Sequence, residues 1–324
     1  MDELSFIRQP VAQDLENYKT MFDNTLTHED DFLGRALSYL KGRKGKMMRP
    51  LLVLLVAKEL GAVKECTLRS AVTLELLHTA SLVHDDVVDE SDERRGQASA
   101  NSVYGNKIAV LLGDYLLSKA LHQAALTGSL DCVEIIAKLG ATLSEGEVFQ
   151  LANIRNEAIT EAAYFRIIQN KTAELFATCA ELGALSAGAD PAFVNNAREL
   201  GNLLGICFQI RDDIFDYYED SKIGKPTGND MAEGKMTLPV IYALQHCDDP
   251  AMHQLASKIK RGDASPEEIR RMVNFAKEAG GIDYAVEVME AYHQKAMAHL
   301  GAFKNEAVRN ALQAYLDFVI GRKI

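Results

Sequence analysis

Two short segments concentrate carboxylates in a way that needs a chemical reason. Asp85-Asp86-Val87-Val88-Asp89 and Asp212-Asp213-Ile214-Phe215-Asp216 share the pattern DDxxD. Residues four apart share a helix face, so Asp85 lines up with Asp89 and Asp212 with Asp216. Each motif directly follows an apolar stretch, with Leu76, Leu77, Leu82 and Val83 before the first and Leu203, Leu204, Ile206 and Phe208 before the second. Carboxylates bordering a buried segment are costly unless paired or bound to a cation. One DDxxD alone reads as readily as a solvated helix face. Two copies in the same setting, each followed by a polar loop with Arg or Lys, favour chemistry. Such oxygen ligands suit Mg²⁺, which is usually held by one or two carboxylates plus substrate phosphates. Two facing sets would hold a small metal cluster that draws a diphosphate between them and stabilises it as it leaves.

The bulk of the chain must position these groups. Of 324 residues, 48% are apolar and 25% charged, a globular balance. The net charge of −11 argues against a general nucleic-acid binder. Metal ions would reconcile that charge with an anionic substrate, since bound cations turn an acidic wall into an anion site. Cys66, Cys132, Cys179, Cys207 and Cys247 are widely spaced with no CxxC pair, which suits reduced, buried thiols. The N-terminus shows no secretory signal pattern. The longest apolar run, Leu51 to Ala57, is too short to span a bilayer. A cytoplasmic enzyme without a membrane span is the expectation.

Helix formers dominate and alternating strand patterns are scarce. Helices are expected at about 11–23, 29–41, 48–60, 67–91, 102–127, 130–152, 160–188, 191–219, 236–246, 250–260, 266–279, 282–300 and 304–320. Pro50 opens one, Asp190-Pro191 caps another, and Ser265-Pro266-Glu267-Glu268 has the spacing of a capping box. Leu74, Leu76, Leu77, Leu82 and Val83 nearly encircle their helix, the mark of an element buried inside a larger bundle. The fold expected is all-α, one large helical bundle around a central cavity, a single domain over 1–324. The long polar loops near 92–101 and 219–235 follow the two motifs and suit lids.

With these motifs in view, the sequence resembles the trans-polyprenyl diphosphate synthases over nearly its whole length. Gly45-Lys46-Met47-Met48-Arg49-Pro50 is similar to that family's GKxxRP motif, Arg94-Arg95-Gly96 to its RRG, and Lys171-Thr172 to its KT pair. Gly224-Lys225 and Gly234-Lys235 match the lysines after the second aspartate motif. The resemblance, closest in appearance to the bacterial octaprenyl-type enzymes, implies that Lys46, Arg49, His78 and Arg95 hold the diphosphate of isopentenyl diphosphate. It implies that Arg94, Lys171, Lys225 and Lys235 hold the allylic diphosphate. Thr172 and Gln209 would lie beside the reacting allylic carbons. Asp85, Asp86, Asp89, Asp212, Asp213 and Asp216 would serve the metal, with three Mg²⁺ ions when substrate is bound and Mn²⁺ as a substitute. The implied reaction ionises the allylic diphosphate, condenses the cation with isopentenyl diphosphate and eliminates a proton. A homodimer that delivers its product to a membrane is also implied. Arg211 before the second motif and Asn229 beside Asp230 depart from the family pattern.

Product length should depend on what lies below the first motif. Ser81 is one turn before Asp85 on the same face and Ala80 is next to it. Their small side chains, with Leu77, leave a tunnel open, although small residues also permit close helix packing. Leu121, Ala124, Ala125, Ile136 and Leu139 are candidates for a deeper floor. A long product, octaprenyl, is expected, formed from farnesyl diphosphate for a quinone side chain. The rivals are a geranylgeranyl or farnesyl diphosphate synthase, a terpene cyclase-like enzyme and a non-catalytic synthase subunit.

Overall fold

The structure, a computed structural model, describes residues 2–42, 45–94, 96–154, 159–218 and 227–321. It is all-α, as expected. The helices up to the second polar loop are α1 (Glu3–Arg8), α2 (Ala12–Thr25), α3 (Asp31–Gly42), α4 (Met48–Lys58), α5 (Glu65–Val88), α6 (Ala100–Tyr104), α7 (Asn106–Ala125), α8 (Leu130–Ile154), α9 (Glu161–Ile168), α10 (Glu174–Ala187) and α11 (Pro191–Phe215). Beyond it follow α12 (Asn229–Ala232), α13 (Leu238–Gln245), α14 (Pro250–Lys260), α15 (Pro266–Glu278), α16 (Gly281–His299) and α17 (Glu306–Ile320). Among the described residues the only sheet is the hairpin of β1 (Glu93–Arg94) and β2 (Gln97–Ala98), antiparallel, inside a segment expected as loop. No described helix is long and apolar enough to cross a membrane.

One domain is expected over 1–324; the folded chain divides into two compact units, and each interleaves three stretches of sequence. The first comprises Met1–Gly140, Thr178–Arg198 and Leu300–Ala314, and the second Ala141–Ala177, Glu199–His299 and Tyr315–Ile324. In the first unit α4 buries every residue from Pro50 to Ala57, so this helix has no solvent face there. It packs on α5, which in turn lies along α7. Gly183 lets α10 approach α4 closely, since a Cβ there would lie 2.6 Å from the Val53 carbonyl oxygen.

In the second unit α13, with Pro239 in its first turn, packs on α15 and α16. The expected capping box starts α15. The Ser265 hydroxyl accepts from the Glu268 N–H, and the Glu268 carboxylate accepts from the Ser265 N–H at 2.8 Å. The sequence suggests one helix over 160–188. Instead a π-helical turn, Gln169–Ala173, separates α9 from α10. No Pro or Gly lies in that turn. Its cause is tertiary. A Cβ on Gly146 of α8 would lie 2.8 Å from the Asn170 Cβ, and one on Gly205 of α11 would lie 2.5 Å from the Ala173 Cα. Close approach from these two helices fixes the turn, and π turns of this kind recur at functional sites.

Gly205→Ala should therefore destabilise the protein by about 1–3 kcal/mol, the usual cost of overpacking a filled contact. Gly301, where a Cβ would meet nothing within 4 Å, is the control. Thermal unfolding of both alanine variants checks this; equal melting temperatures would show that the close approach carries no constraint.

Candidate active site

The first aspartate motif ends α5. Asp89 is its C-cap, its N–H donating to the Asp85 carbonyl at 2.8 Å. Asp85 and Asp89 are half-buried, whereas Asp86 is 1% exposed. The Asp86 carboxylate accepts from Arg94 Nε of β1 at 2.5 Å, so the hairpin brings a cation to the carboxylate that water cannot reach. Asp86, Arg94 and His78 line one cavity of the first unit with Gly45, Met47 and Thr79. Lys46 is exposed and Arg49 half-buried beside that wall. Arg95 lies outside the described residues.

Two non-glycine residues among those described take a left-handed backbone. Met47 at φ 55° stands between Lys46 and Arg49, and Glu90 at φ 50° follows Asp89. Such conformations cost free energy and persist only where surrounding packing enforces them. Both flank segments singled out for diphosphate chemistry.

Of the tunnel candidates, Leu77, Ala80, Ala124, Ile136 and Leu139 are buried. Ser81 is half-buried, its hydroxyl donating to the His78 carbonyl at 2.9 Å. Leu121 and Ala125 are exposed instead. They lie outside the buried column Leu116, Ala120 and Ala124 of α7, so neither forms a floor within this chain.

The second motif ends α11. Asp212 is exposed. Asp216 is half-buried and accepts from the N–H groups of Asn229 and Asp230, both at 3.1 Å, anchoring the start of α12. Asp213 is 4% exposed. One of its oxygens accepts from the Tyr164 hydroxyl at 2.6 Å and the other from Gln209 Nε2 at 2.7 Å. The Gln209 carbonyl accepts from the Thr172 hydroxyl at 2.7 Å. Lys171, in the π turn, pairs with Glu147 at 2.8 Å, and Lys235 pairs with Glu233. A second cavity is lined by Lys171, Thr172, Gln209, Asp213, Asp230 and Lys235. Arg211 sets its guanidinium 4.9 Å from the Phe215 ring centre and donates to the Phe318 carbonyl at 3.3 Å. Lys225 lies outside the described residues.

Burial raises the carboxyl groups of this second cavity, and neighbouring charges add to it. Burial, then the nearby Asp216 charge, pushes Asp230 up to about 7. Burial, then Asp230, holds Asp213 well above the usual carboxylate range. Burial is the larger cause in both, and a bound cation would favour the ionised forms. Among the described residues no three His, Cys, Asp or Glu side chains form a ready metal cage. Mg²⁺ rarely uses one, because water and substrate phosphates complete its shell. The residues therefore fit a divalent ion that arrives with a diphosphate.

Sequence reasoning passed over Tyr164 and Glu147. Tyr164 reads as an ordinary apolar-face aromatic, and its place two helical turns before Lys171 is the available signal.

Paired aspartate motifs on an all-α frame, each beside lysine or arginine, define a class of enzyme that transfers prenyl groups from diphosphates. The comparisons with known proteins bear this out. Residues 30–276 match the polyprenyl synthetase family model. The chain is 33% identical over 320 residues to octaprenyl diphosphate synthase of Escherichia coli strain K12, covering 98% of this chain and 99% of that one. It is 46% identical to a geranylgeranyl pyrophosphate synthase structure from Bacteroides thetaiotaomicron, with TM-score 0.88 and coverage of 99% and 100%. A decaprenyl diphosphate synthase structure from Rhodobacter capsulatus is 33% identical, with TM-score 0.92 and coverage of 99% and 100%. The chain belongs to the polyprenyl synthetase family and is a prenyltransferase of the trans-polyprenyl diphosphate synthase type.

The two kinds of aspartate should separate by experiment. Asp85→Ala and Asp212→Ala should each cut turnover by about two to three orders of magnitude with the fold intact, as expected for groups that act on transition-state charge. Asp86→Ala should also lower unfolding stability by about 1–3 kcal/mol, because it removes the partner of Arg94. Urea titration beside the rate measurement checks both, and equal stability losses at Asp85 and Asp86 would count against the division.

Proposed function

We propose that the enzyme lengthens an allylic prenyl diphosphate, farnesyl diphosphate, with isopentenyl diphosphate units in a Mg²⁺-dependent reaction, giving a long all-trans product of octaprenyl length. The observation that carries this reading is the second cavity, where Lys171, Lys235, Thr172 and Gln209 line one space with Asp213 and Asp230. Asp85, Asp89, Asp212 and Asp216 are the carboxylates that would hold the metal. Bound there, Mg²⁺ supplies charge neutralisation for a diphosphate leaving group.

The remaining steps fall to the chain's own groups. Lys171 and Lys235, with Lys225, bind the allylic diphosphate. Lys46, Arg49, His78 and Arg95 bind that of isopentenyl diphosphate. Arg94 is held by Asp86 and presents its remaining N–H groups to the allylic diphosphate. As the allylic C–O bond breaks, the oxygen dipoles of Thr172 and Gln209 stabilise the cation. The double bond of isopentenyl diphosphate then forms the new C–C bond, and a proton leaves to the departed diphosphate. Exclusion of water from the site protects the cation.

Small Ala80 and Ser81 beneath Asp85 and full-length similarity to the Escherichia coli octaprenyl enzyme support the long product. One observation favours a shorter one: the 46% identity to the geranylgeranyl synthase of Bacteroides thetaiotaomicron. We read the enzyme as a cytoplasmic homodimer that hands its product to a membrane. Leu111, Leu121 and Leu130 are 62%, 61% and 80% exposed, an apolar surface that a second copy would cover.

Purified protein given farnesyl diphosphate, labelled isopentenyl diphosphate and Mg²⁺ should yield a product ladder ending near about eight units, abolished by chelator. Termination at four units would decide for geranylgeranyl. Ser81→Phe should shorten the ladder, and an unchanged length would show that the chain grows past another wall.

A further inference from the structure

Asp213 stands apart from the other motif carboxylates because neutral groups of the second unit already occupy both its oxygens. Those contacts have a direction. The Tyr164 O–H and the Gln209 N–H₂ donate, and the two Asp213 oxygens accept. Asp213 therefore turns the Gln209 N–H₂ towards itself and the Gln209 carbonyl towards Thr172. The Thr172 hydroxyl must then donate to that carbonyl, which leaves its own lone pairs for the cavity it lines. One buried carboxyl group thus sets the orientation of a chain of four side chains, and Tyr164, 4% exposed, is its far end.

We propose that Tyr164 is a positioning residue for elongation: its hydroxyl locks Asp213, which aims the Gln209 amide and the Thr172 hydroxyl at the reacting allylic carbons. The inference rests on reading the second cavity as the allylic site. It gives Asp213 the role of orienting this chain, in place of the metal-binding role expected from the motif. The Tyr164 ring stays at the edge of Phe165, 5.4 Å between centres, so deleting the hydroxyl alone leaves the packing in place.

The test compares wild type with Tyr164→Phe, Asp213→Asn and Asp212→Asn. For each, kcat, both KM values, the Mg²⁺ concentration at half-maximal rate, and the share of allylic substrate released as alcohol are measured. Affinity for an unreactive thiolo analogue of the allylic diphosphate is read alongside. Tyr164→Phe should lower kcat by about tenfold to a hundredfold, the size expected when a buried acceptor loses its donor. Its KM values, analogue affinity and Mg²⁺ requirement should hold within about twofold, because ground-state binding is untouched. Its alcohol share should rise, since a less stabilised cation is more often captured by water. Asp213→Asn should follow the same pattern, whereas Asp212→Asn should raise the Mg²⁺ requirement. Unchanged kcat in an otherwise active Tyr164→Phe enzyme overturns the inference alone. So does a Mg²⁺ shift in Asp213→Asn equal to that of Asp212→Asn, which would make Asp213 a ligand. A wild type that incorporates no isopentenyl diphosphate overturns the allylic reading and the inference with it.

Discussion

A carboxylate withdrawn from water must be answered by its surroundings, and each aspartate motif contains one such residue. Asp86 and Asp213 occupy the same middle position of DDxxD and are 1% and 4% exposed. Their solutions differ. Asp86 takes a cation, Arg94, from the adjacent hairpin. Asp213 takes neutral donors, Tyr164 and Gln209. A buried ion pair contributes mainly geometry, since desolvation offsets most of its attraction. In the first unit that geometry ties the hairpin to the end of α5. In the second it ties the start of α9 to the end of α11.

Rigidity around these anchors is built from backbone rather than from side chains. Gly146 and Gly205 admit the π turn that carries Lys171 and Thr172, and the left-handed Met47 redirects the chain between Lys46 and Arg49. Electrostatic stabilisation of a cation depends on dipoles fixed before reaction, so strain held in the ground state is a means to that end. The same logic explains Glu90, whose left-handed turn stops α5 directly after Asp89.

What could be read from the sequence follows the range of the forces involved. Local signals were legible: the Ser265 capping box, the starts at Pro50 and at Asp190-Pro191, and the aspartate spacing. The break at Gln169–Ala173 was not, because neighbouring helices impose it on a segment with no Gly or Pro of its own. Leu121, a floor candidate in the sequence, faces outward on α7, and residue type alone cannot say which side of an apolar helix faces inward. Tyr164 escaped notice because its burial resembles that of any aromatic until the carboxylate beside its hydroxyl is seen.

Product length is the property least governed by overall similarity. The chemistry at the aspartates is the same for every chain length, so most of the sequence is constrained by the reaction and not by the product. Length turns on the few side chains that meet the growing tail, and one bulky replacement outweighs many identities elsewhere. Ala80, fully buried, lies on the packed face of α5, whereas Ser81 is half-buried with its hydroxyl turned back to the His78 carbonyl. That internal hydrogen bond removes the polar cost of placing a serine beside an apolar tail. A satisfied serine is thus compatible with a hydrocarbon passing over it, and it is Ser81, more than identity to any one relative, that favours the longer product.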